Sequence, residues 1–302
     1  MDSRPGDVCI LIPTLDEAET IGDVVEDFRE AGFSDVLVVD GGSTDGTRDV
    51  AREAGARVVQ QSGTGKGQAV REAISNHVDA DYVLMLDGDG TYRAADANEM
   101  LAPLRSGEAA HVIGNRFADM RSGAMTFLNR VGNRLINAAF RTIHRDDFGD
   151  ILSGYRAFTR ESFEAMHLTA DGFGIETEMA VECAKHGIPT TVVPITYRPR
   201  PSGSNTNLHP VRDGGIIFLE LYRRAKTNNP LFYFGSIGTV STLFGGLVAA
   251  YVGVEWVTQR VSHEVLAIVA AFAILVGVQL LMFGVLADLI LSLHREQLRE
   301  QE

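Results

Sequence analysis

Residues 82–90 read Tyr-Val-Leu-Met-Leu-Asp-Gly-Asp-Gly: five apolar residues, then two aspartates two apart in a glycine-rich turn. A short apolar run that stops at Gly and Asp predicts a buried strand whose carboxyl end carries the turn. Three runs upstream repeat the arrangement. Val8–Ile12 leads into Pro13-Thr14-Leu15-Asp16-Glu17, and Val36–Val39 leads into Asp40-Gly41-Gly42-Ser43-Thr44-Asp45-Gly46-Thr47. Val58–Gln60 leads into Gly63-Thr64-Gly65-Lys66-Gly67. Helical patterns at about 17–31, 44–54, 66–77 and 95–105 separate these runs. This alternation predicts an α/β domain with a Rossmann-type, mostly parallel sheet, right-handed crossovers and helices on both faces. Ligands bind such sheets at the carboxyl ends of the strands. Asp and Gly also make ordinary turns, but four consecutive strand ends rich in carboxylates or glycine are best explained by one polar site.

Spacing excludes familiar alternatives. Gly63–Gly67 is not the G-x-G-x-x-G dinucleotide fingerprint. It is not a P-loop either, because Gln60 stands at the first glycine position and Gly67 follows Lys66 where Ser or Thr is required. Asp87–Asn98 fails as a calcium loop: Tyr92 takes the glycine position and Asn98 the glutamate position. Asp87 and Asp89 suit a hard divalent cation, Mg²⁺ or Mn²⁺, held jointly with a diphosphate. Asp40 is a candidate acceptor for a base or ribose donor, and Glu17 could act similarly. Lys66, at a helix start, could meet phosphate oxygens.

The charge is unevenly placed. The chain has 302 residues and a net charge of −13, and residues 1–100 alone hold 21 acids and 8 bases. An acidic chain of this kind excludes general nucleic-acid binding. Only 3 of the 27 bases are Lys, which fits a high-salt cytoplasm or a GC-rich genome equally. Cys9 and Cys183 lie too far apart, without a C-x-x-C, to make a zinc site or a disulfide framework. The opening MDSRPGD does not read as a secretion signal.

Leu231–Val254 and Val265–Ala287 contain no charged residue. At about 1.5 Å per residue each is long enough for a bilayer core of roughly 30 Å. The expected organisation is a domain at 1–226, two transmembrane helices at about 231–255 and 265–288 within 227–291, and a short tail at 292–302. Arg212, Arg223, Arg224 and Lys226 precede the first span and Arg295 and Arg299 follow the second, whereas the connector holds only Arg260. The positive-inside rule then places the domain and the tail in the cytoplasm, with the protein in the cell membrane. Gly235, Gly238, Gly245, Gly246 and Gly253 would permit close helix packing within a chain or in a homo-oligomer. Residues 116–145 hold six Arg and one acid, with Arg130, Arg134 and Arg141 on one helical stripe and Leu128, Val131, Leu135, Ala139 and Ile143 on another. Amphipathic helices at the bilayer surface are expected near 124–144 and 210–226.

Together these segments resemble family 2 glycosyltransferases, and especially polyprenyl-phosphate (dolichyl-phosphate) hexose synthases. IPTLDEAETI is similar to the family's P-x-x-N-E opening, and VVDGGSTDGT to V-D-D-G-S-T-D-G-T with Gly41 replacing the second Asp. GKGQAVR, LDGDGTY, GNR (114–116), DILSGYRAF (150–158) and RPSGS (200–204) resemble further segments in the family's order. The resemblance implies a GT-A-like fold. It implies a nucleotide sugar (a UDP- or GDP-hexose) on Pro13, Leu15, Glu17, Asp40, Gly42, Ser43, Lys66, Asp87, Gly88 and Asp89, with Asp87 and Asp89 as metal ligands. It implies Arg116, Arg130, Arg134, Arg200 and Ser204 around the phosphate of a dolichyl or polyprenyl acceptor, and Asp89, Arg116, Arg130 and Arg200 as the catalytic set. Two positions depart from the pattern: Thr91 stands where some relatives have a Gln, and Asn205 and Thr206 stand where a Lys is expected.

A lipid monophosphate has a second pKa of about 6 and needs no general base. It needs cations, and the planar Arg fork suits phosphate. The expected reaction is metal-dependent, inverting transfer of a hexose, glucose favoured, to a polyprenyl phosphate at the cytoplasmic face. The product would be a lipid-linked sugar for glycan assembly such as protein N-glycosylation. Two other readings stay open: transfer to a lipid or glycan hydroxyl, with Asp150, Glu176 or Glu178 as base, and an inactive scaffold that binds sugar nucleotides.

Overall fold

The computed structural model describes residues 7–172, 174–201 and 229–299, and between them residues 214, 215, 218, 219, 221–223, 225 and 226. Ser204 and eight of the seventeen residues of the helix expected near 210–226 lie outside the described residues. Two compact units are formed: Met1–Arg141 with Asp146–Ile217, and Thr142–Arg145 with Phe218–Glu302.

The first unit is built on a seven-stranded sheet. Its strands are β1 (Val8–Thr14), β2 (Asp35–Asp40), β3 (Arg57–Gln60), β4 (Tyr82–Met85), β5 (His111–Met120), β6 (Arg156–Thr159) and β7 (Thr190–Tyr197), in the order β3-β2-β1-β4-β6-β5-β7. Its helices are α1 (Ile21–Glu30), α2 (Thr47–Glu53), α3 (Lys66–Asn76), α4 (Ala97–Arg105), α6 (Arg160–Glu164) and α7 (Ile175–His186), and most of α5 (Phe127–His144) also belongs to it. Every residue of β1 is buried, as a central strand covered on both faces must be. Its alternation sorts the two layers. Val8, Ile10 and Ile12 pack with Val24, Val25 and Phe28 of α1, and Cys9 and Leu11 pack with Val70, Ala73 and Ile74 of α3 and Met179 of α7. Burying one such large side chain stabilises the fold by about 1.5–3 kcal/mol. Both cysteines are buried free thiols.

The half of the sheet built from β1 to β4 is parallel, as the strand–helix alternation requires. The other half is mixed: β6 runs antiparallel to both β4 and β5, and β5 pairs parallel with β7. The four residues of β6 are too few to show a period in sequence. Its Arg156 pairs with Met85, so the turn before β6 runs beside the end of β4.

The apolar stripe of α5 is divided. Ile136, Phe140 and Ile143 are buried, whereas Phe127, Leu128, Val131 and Leu135 are exposed, Phe127 at 83%. The amino-terminal half of the helix therefore presents apolar side chains outward rather than to the core.

The second unit is dominated by α8 (Pro230–Gln259) and α9 (Glu264–Arg299). Both are long and apolar enough to cross a membrane. Asn229 caps α8 by accepting from the Phe232 amide at 3.0 Å, and Pro230 occupies the first turn, where its missing N–H costs nothing. The helix pair depends on small residues: a Cβ on Gly238 would lie 2.6 Å from the Gly277 carbonyl, and one on Gly245 would lie 2.7 Å from that of Ala270. Ser241 Oγ donates to the Ala273 carbonyl at 2.8 Å. Gly246 and Gly253 face open space. In detergent, Gly238→Leu is expected to lower the thermal midpoint, at a cost of about 1–3 kcal/mol for overpacking. Gly253→Leu should leave the midpoint in place, and equal effects would contradict this packing.

Candidate active site

The carboxyl ends of β1, β2 and β4 converge, and hydrogen bonds between their loops fix the arrangement. Asp16 sits in the left-handed region at φ 54°, and its carboxylate accepts from the Thr44 amide at 2.8 Å. The Asp16 amide donates to Ser43 Oγ at 2.9 Å, that of Glu17 to Thr47 Oγ1 at 2.9 Å and that of Ala18 to Asp45 Oδ2 at 3.0 Å. Asp40 is wholly buried and accepts from the Gly42 and Ser43 amides at 3.0 and 3.1 Å, with Gly42 at φ +98°. Asp40 and Ser43, expected at the nucleotide, thus also shape the β1 and β2 loops through these bonds. Pro13 is buried inside β1, and Leu15 stays exposed beside Gly41.

Just past β4, Asp87 is partly exposed and Gly88 and Asp89 are buried. Thr20 Oγ1, at the start of α1, donates to the Gly88 carbonyl at 2.6 Å and ties the turn to β1's loop. Asp89 Oδ1 accepts from Thr91 Oγ1 at 2.6 Å and from the Thr91 amide at 3.1 Å. Thr91 thus orients Asp89. Arg198, beyond β7, donates its amide to the Thr91 carbonyl at 3.0 Å, and this brings Arg200 to Asp89 Oδ2 at 2.7 Å. Lys66 pairs with Asp87 and, at 2.5 Å, with Glu176 of α7. Burial and the neighbouring charges shift the groups of this cluster. Burial, then Asp89 and Asp87, push Glu17 up to about 7 against the pull of Arg200. Burial and Asp87 likewise hold Asp89 above the usual carboxylate range. Burial pulls the Lys66 ammonium down, but Asp87 and Glu176 outweigh it and hold it above the ordinary lysine range.

Residues 9–166 match the family described as Glycosyl transferase family 2. The chain belongs to that family. It is 71% identical over 298 residues to glycosyltransferase AglJ of Haloferax volcanii, covering 99% of this chain and 98% of that one. It is 32% identical over 215 residues to the dolichyl-phosphate hexose transferase of the same organism, covering 70% of this chain and 90% of that relative. Among solved structures, glucosyl-3-phosphoglycerate synthase of Mycobacterium tuberculosis with phosphoglyceric acid superposes with a TM-score of 0.60 at 22% identity, covering 72% of this chain and 80% of its own. The same synthase with Mn²⁺ and UDP-glucose superposes at 0.55 and 23% identity, covering 71% and 78%. These two share the fold.

The glycosyltransferase thus brings Glu17, Lys66, Asp87, Gly88, Asp89 and Arg200 into one place. Other expected residues fall elsewhere. Arg116 is buried and bound through two nitrogens to Asp150, Nε to Oδ2 at 2.7 Å and a terminal nitrogen to Oδ1 at 2.9 Å, with the ring of Tyr197 5.4 Å away. Arg116, expected at an acceptor phosphate, is thus paired with a buried carboxylate of its own domain. Arg130 and Arg134 are exposed on α5, with Arg130 against Met120 Sδ at 3.4 Å. The glycine run 63–67 is not an open phosphate cradle. The Gly67 amide donates to the Asp171 carbonyl at 2.9 Å, and a Cβ at Gly65 or Gly67 would overlap the 170–171 backbone.

Sequence reasoning missed several positioning residues. Tyr92 Oη accepts from the Gly154 amide at 3.0 Å, and Gly154 lies against the Asp87 carboxylate so closely that no Cβ fits. Arg156, wholly buried, donates to the carbonyls of Ile151 and Ser153 at 2.7 and 3.0 Å and so shapes that turn. Tyr92 and Arg156 lie within quoted motifs, but only the fold shows what they touch.

The donor set fits a divalent cation. Asp87 and Asp89 supply hard oxygens, and Glu17, raised first by burial and then by these two carboxylates, stands near them. Among the described residues no group of three or more His, Cys, Asp or Glu could hold a metal by itself. Protein carboxylates would therefore supply part of the coordination, and phosphate oxygens and water the rest.

Two measurements test this site. Glu17's folded pKa exceeds its ordinary value, so the folded state binds more protons between those two pH values and stability falls as pH rises through that window. In metal-free buffer, Glu17→Gln is expected to flatten the fall of the thermal midpoint between pH 5 and about 7; an unchanged slope would refute the Glu17 environment. Asp150→Asn should destabilise the protein by about 3–5 kcal/mol, since it strands the buried Arg116. A neutral effect in thermal unfolding would contradict that pairing.

Proposed function

We propose that this glycosyltransferase moves a hexose, glucose favoured, from a UDP- or GDP-sugar to dolichyl or polyprenyl phosphate at the cytoplasmic membrane face, inverting the anomeric carbon. The observation that carries the reading is the state of the three carboxylates a hydroxyl acceptor would need as a base. Asp150 is bound to Arg116, Glu176 to Lys66, and Glu178 accepts from the Thr169 and Ala170 amides at 2.8 and 2.7 Å. A dianionic phosphate needs no such base. The relative named dolichyl-phosphate hexose transferase supports the same acceptor. The relative named low-salt glycan biosynthesis hexosyltransferase Agl6, 30% identical over 284 residues, supports a product used in glycan assembly such as protein N-glycosylation.

Asp87 and Asp89 would hold Mg²⁺ or Mn²⁺, which when bound supplies charge stabilisation for the departing nucleoside diphosphate. Asp89 is oriented for this by Thr91, and Asp87 by the close approach of Gly154. Glu17, Leu15 and Gly42 border the nucleoside side of the cleft. Arg200 meets phosphate oxygens next to Asp89. Arg130 and Arg134, on the outward face of α5 beside exposed Leu128, Val131 and Leu135, receive the acceptor phosphate at the bilayer surface. The two apolar helices anchor the enzyme, with the domain and the tail in the cytoplasm by the distribution of basic residues.

The test uses full-length protein with Mg²⁺ or Mn²⁺, polyprenyl phosphate and a panel of labelled UDP- and GDP-sugars, followed by lipid extraction. Label should enter an organic-soluble, mild-acid-labile product from one donor. Asp89→Asn or Arg200→Ala should reduce the rate by about a hundredfold or more, as loss of a positioned electrostatic group does. Donor binding without lipid labelling would overturn the phosphate acceptor in favour of a hydroxyl.

A further inference from the structure

The two carboxylates that suit a divalent cation already hold cations of the chain itself. Lys66 lies between Asp87 and Glu176 with its side chain only 8% exposed, and Arg200 lies 2.7 Å from Asp89 Oδ2. Thr91 occupies Asp89 Oδ1, so Arg200 sits on the oxygen that Thr91 leaves. Lys66 and Arg200 are also the two basic side chains in this cluster that a diphosphate would meet. Each group therefore has two competing claims on it. A metal arriving alone would take Asp87 and Asp89 from Lys66 and Arg200 and leave two partly buried cations short of anions. A diphosphate arriving alone would face the carboxylates. Arriving together, the metal takes the carboxylates and the phosphates take the cations, and every charge is matched.

We infer that Lys66 and Arg200 are resident counterions of Asp87 and Asp89 and couple divalent-cation binding to nucleoside-diphosphate binding, with Glu176 as the positioning residue that retains Lys66 when Asp87 turns to the metal. The inference rests on the proposed donor site. Glu176 suits this role because it stands in the first turn of α7, is itself only 6% exposed, and holds Lys66 independently of β4's turn. The exchange lets the site stay folded without either ligand. It also disfavours the half-loaded forms, in which a sugar nucleotide would sit without the cation that assists its departure. Coupling of this kind is reciprocal: whatever factor the nucleotide adds to metal affinity, the metal adds to nucleotide affinity.

The experiment is a Mn²⁺ titration of the full chain in detergent, read by the paramagnetic resonance signal of free Mn²⁺, with and without saturating UDP. For the unmodified protein, UDP is expected to tighten Mn²⁺ binding about tenfold or more. Lys66→Met should tighten Mn²⁺ binding in the absence of UDP and shrink the factor that UDP adds. Glu176→Gln should weaken Mn²⁺ binding in the absence of UDP, because Lys66 then pairs with Asp87 alone. A merely structural Lys66–Glu176 pair would move both variants in the same direction. The inference is overturned if UDP leaves Mn²⁺ affinity unchanged in the unmodified protein, or if both variants weaken Mn²⁺ binding alike. The comparison with and without UDP requires no variant, so misfolding of a variant does not remove the test. Should Mn²⁺ fail to bind even with UDP present, the donor site itself is wrong; binding of Mn²⁺ and UDP together without mutual effect overturns only the coupling.

Discussion

Charge compensation at the end of β4 is the constraint on which the rest of the site depends. Asp87 and Asp89 stand at the carboxyl edge of the sheet, and burial followed by their charge raises Glu17 to about 7. Carboxylates so placed repel one another and lose hydration, and both costs grow as the site is enclosed. The fold answers with Lys66 from the start of α3 and Arg200 from beyond β7. These cations come from segments far apart in the chain, so the site exists only once both halves of the sheet have assembled.

The mixed half of the sheet provides the second cation and the floor of the site. Because β6 runs back beside β4, the turn that precedes it places Gly154 against Asp87 and a buried Arg156 beneath that turn. Because β5 and β7 pair in parallel, the chain leaving β7 passes Thr91 and delivers Arg200. A wholly parallel sheet would bring neither. The buried Arg116–Asp150 pair, covered by Tyr197, holds the turn before β6 near the middle of β5. Such a pair is weak evidence for net stability, but breaking it leaves an unmatched charge.

Conserving charge within the cluster also bears on selectivity. A site that holds its own counterions discourages stray cations and stray anions alike, and only a ligand bringing both signs satisfies every group. A metal-bound nucleoside diphosphate is such a ligand. In the proposed reaction, an acceptor phosphate presented from a lipid surface would meet the exposed arginines of α5 without competing for the carboxylates.

The strand–helix alternation over residues 8–105 was legible because β1, β2 and β4 are buried apolar runs, β2 and β4 leading into Asp-Gly turns and β1 into Pro-Thr-Leu-Asp-Glu, and the two apolar helices were legible because nothing in 231–254 or 265–287 is charged. Asp87 and Asp89 could be read as a pair because their spacing and their strand are local. The partners of each charged side chain could not. Arg116, Arg130 and Arg200 look alike in sequence, yet one is spent on Asp150, one is exposed on a helix and one meets Asp89. Asp40 and Ser43 look like ligand contacts in sequence, and only the fold shows that they also hold their own loops. Local pattern determines which segments are buried, since burial follows from side chains a few residues apart. Which charge meets which is decided across 21 to 111 residues of chain, from Lys66 to Asp87 and from Asp89 to Arg200, and only the register of the assembled sheet sets those distances.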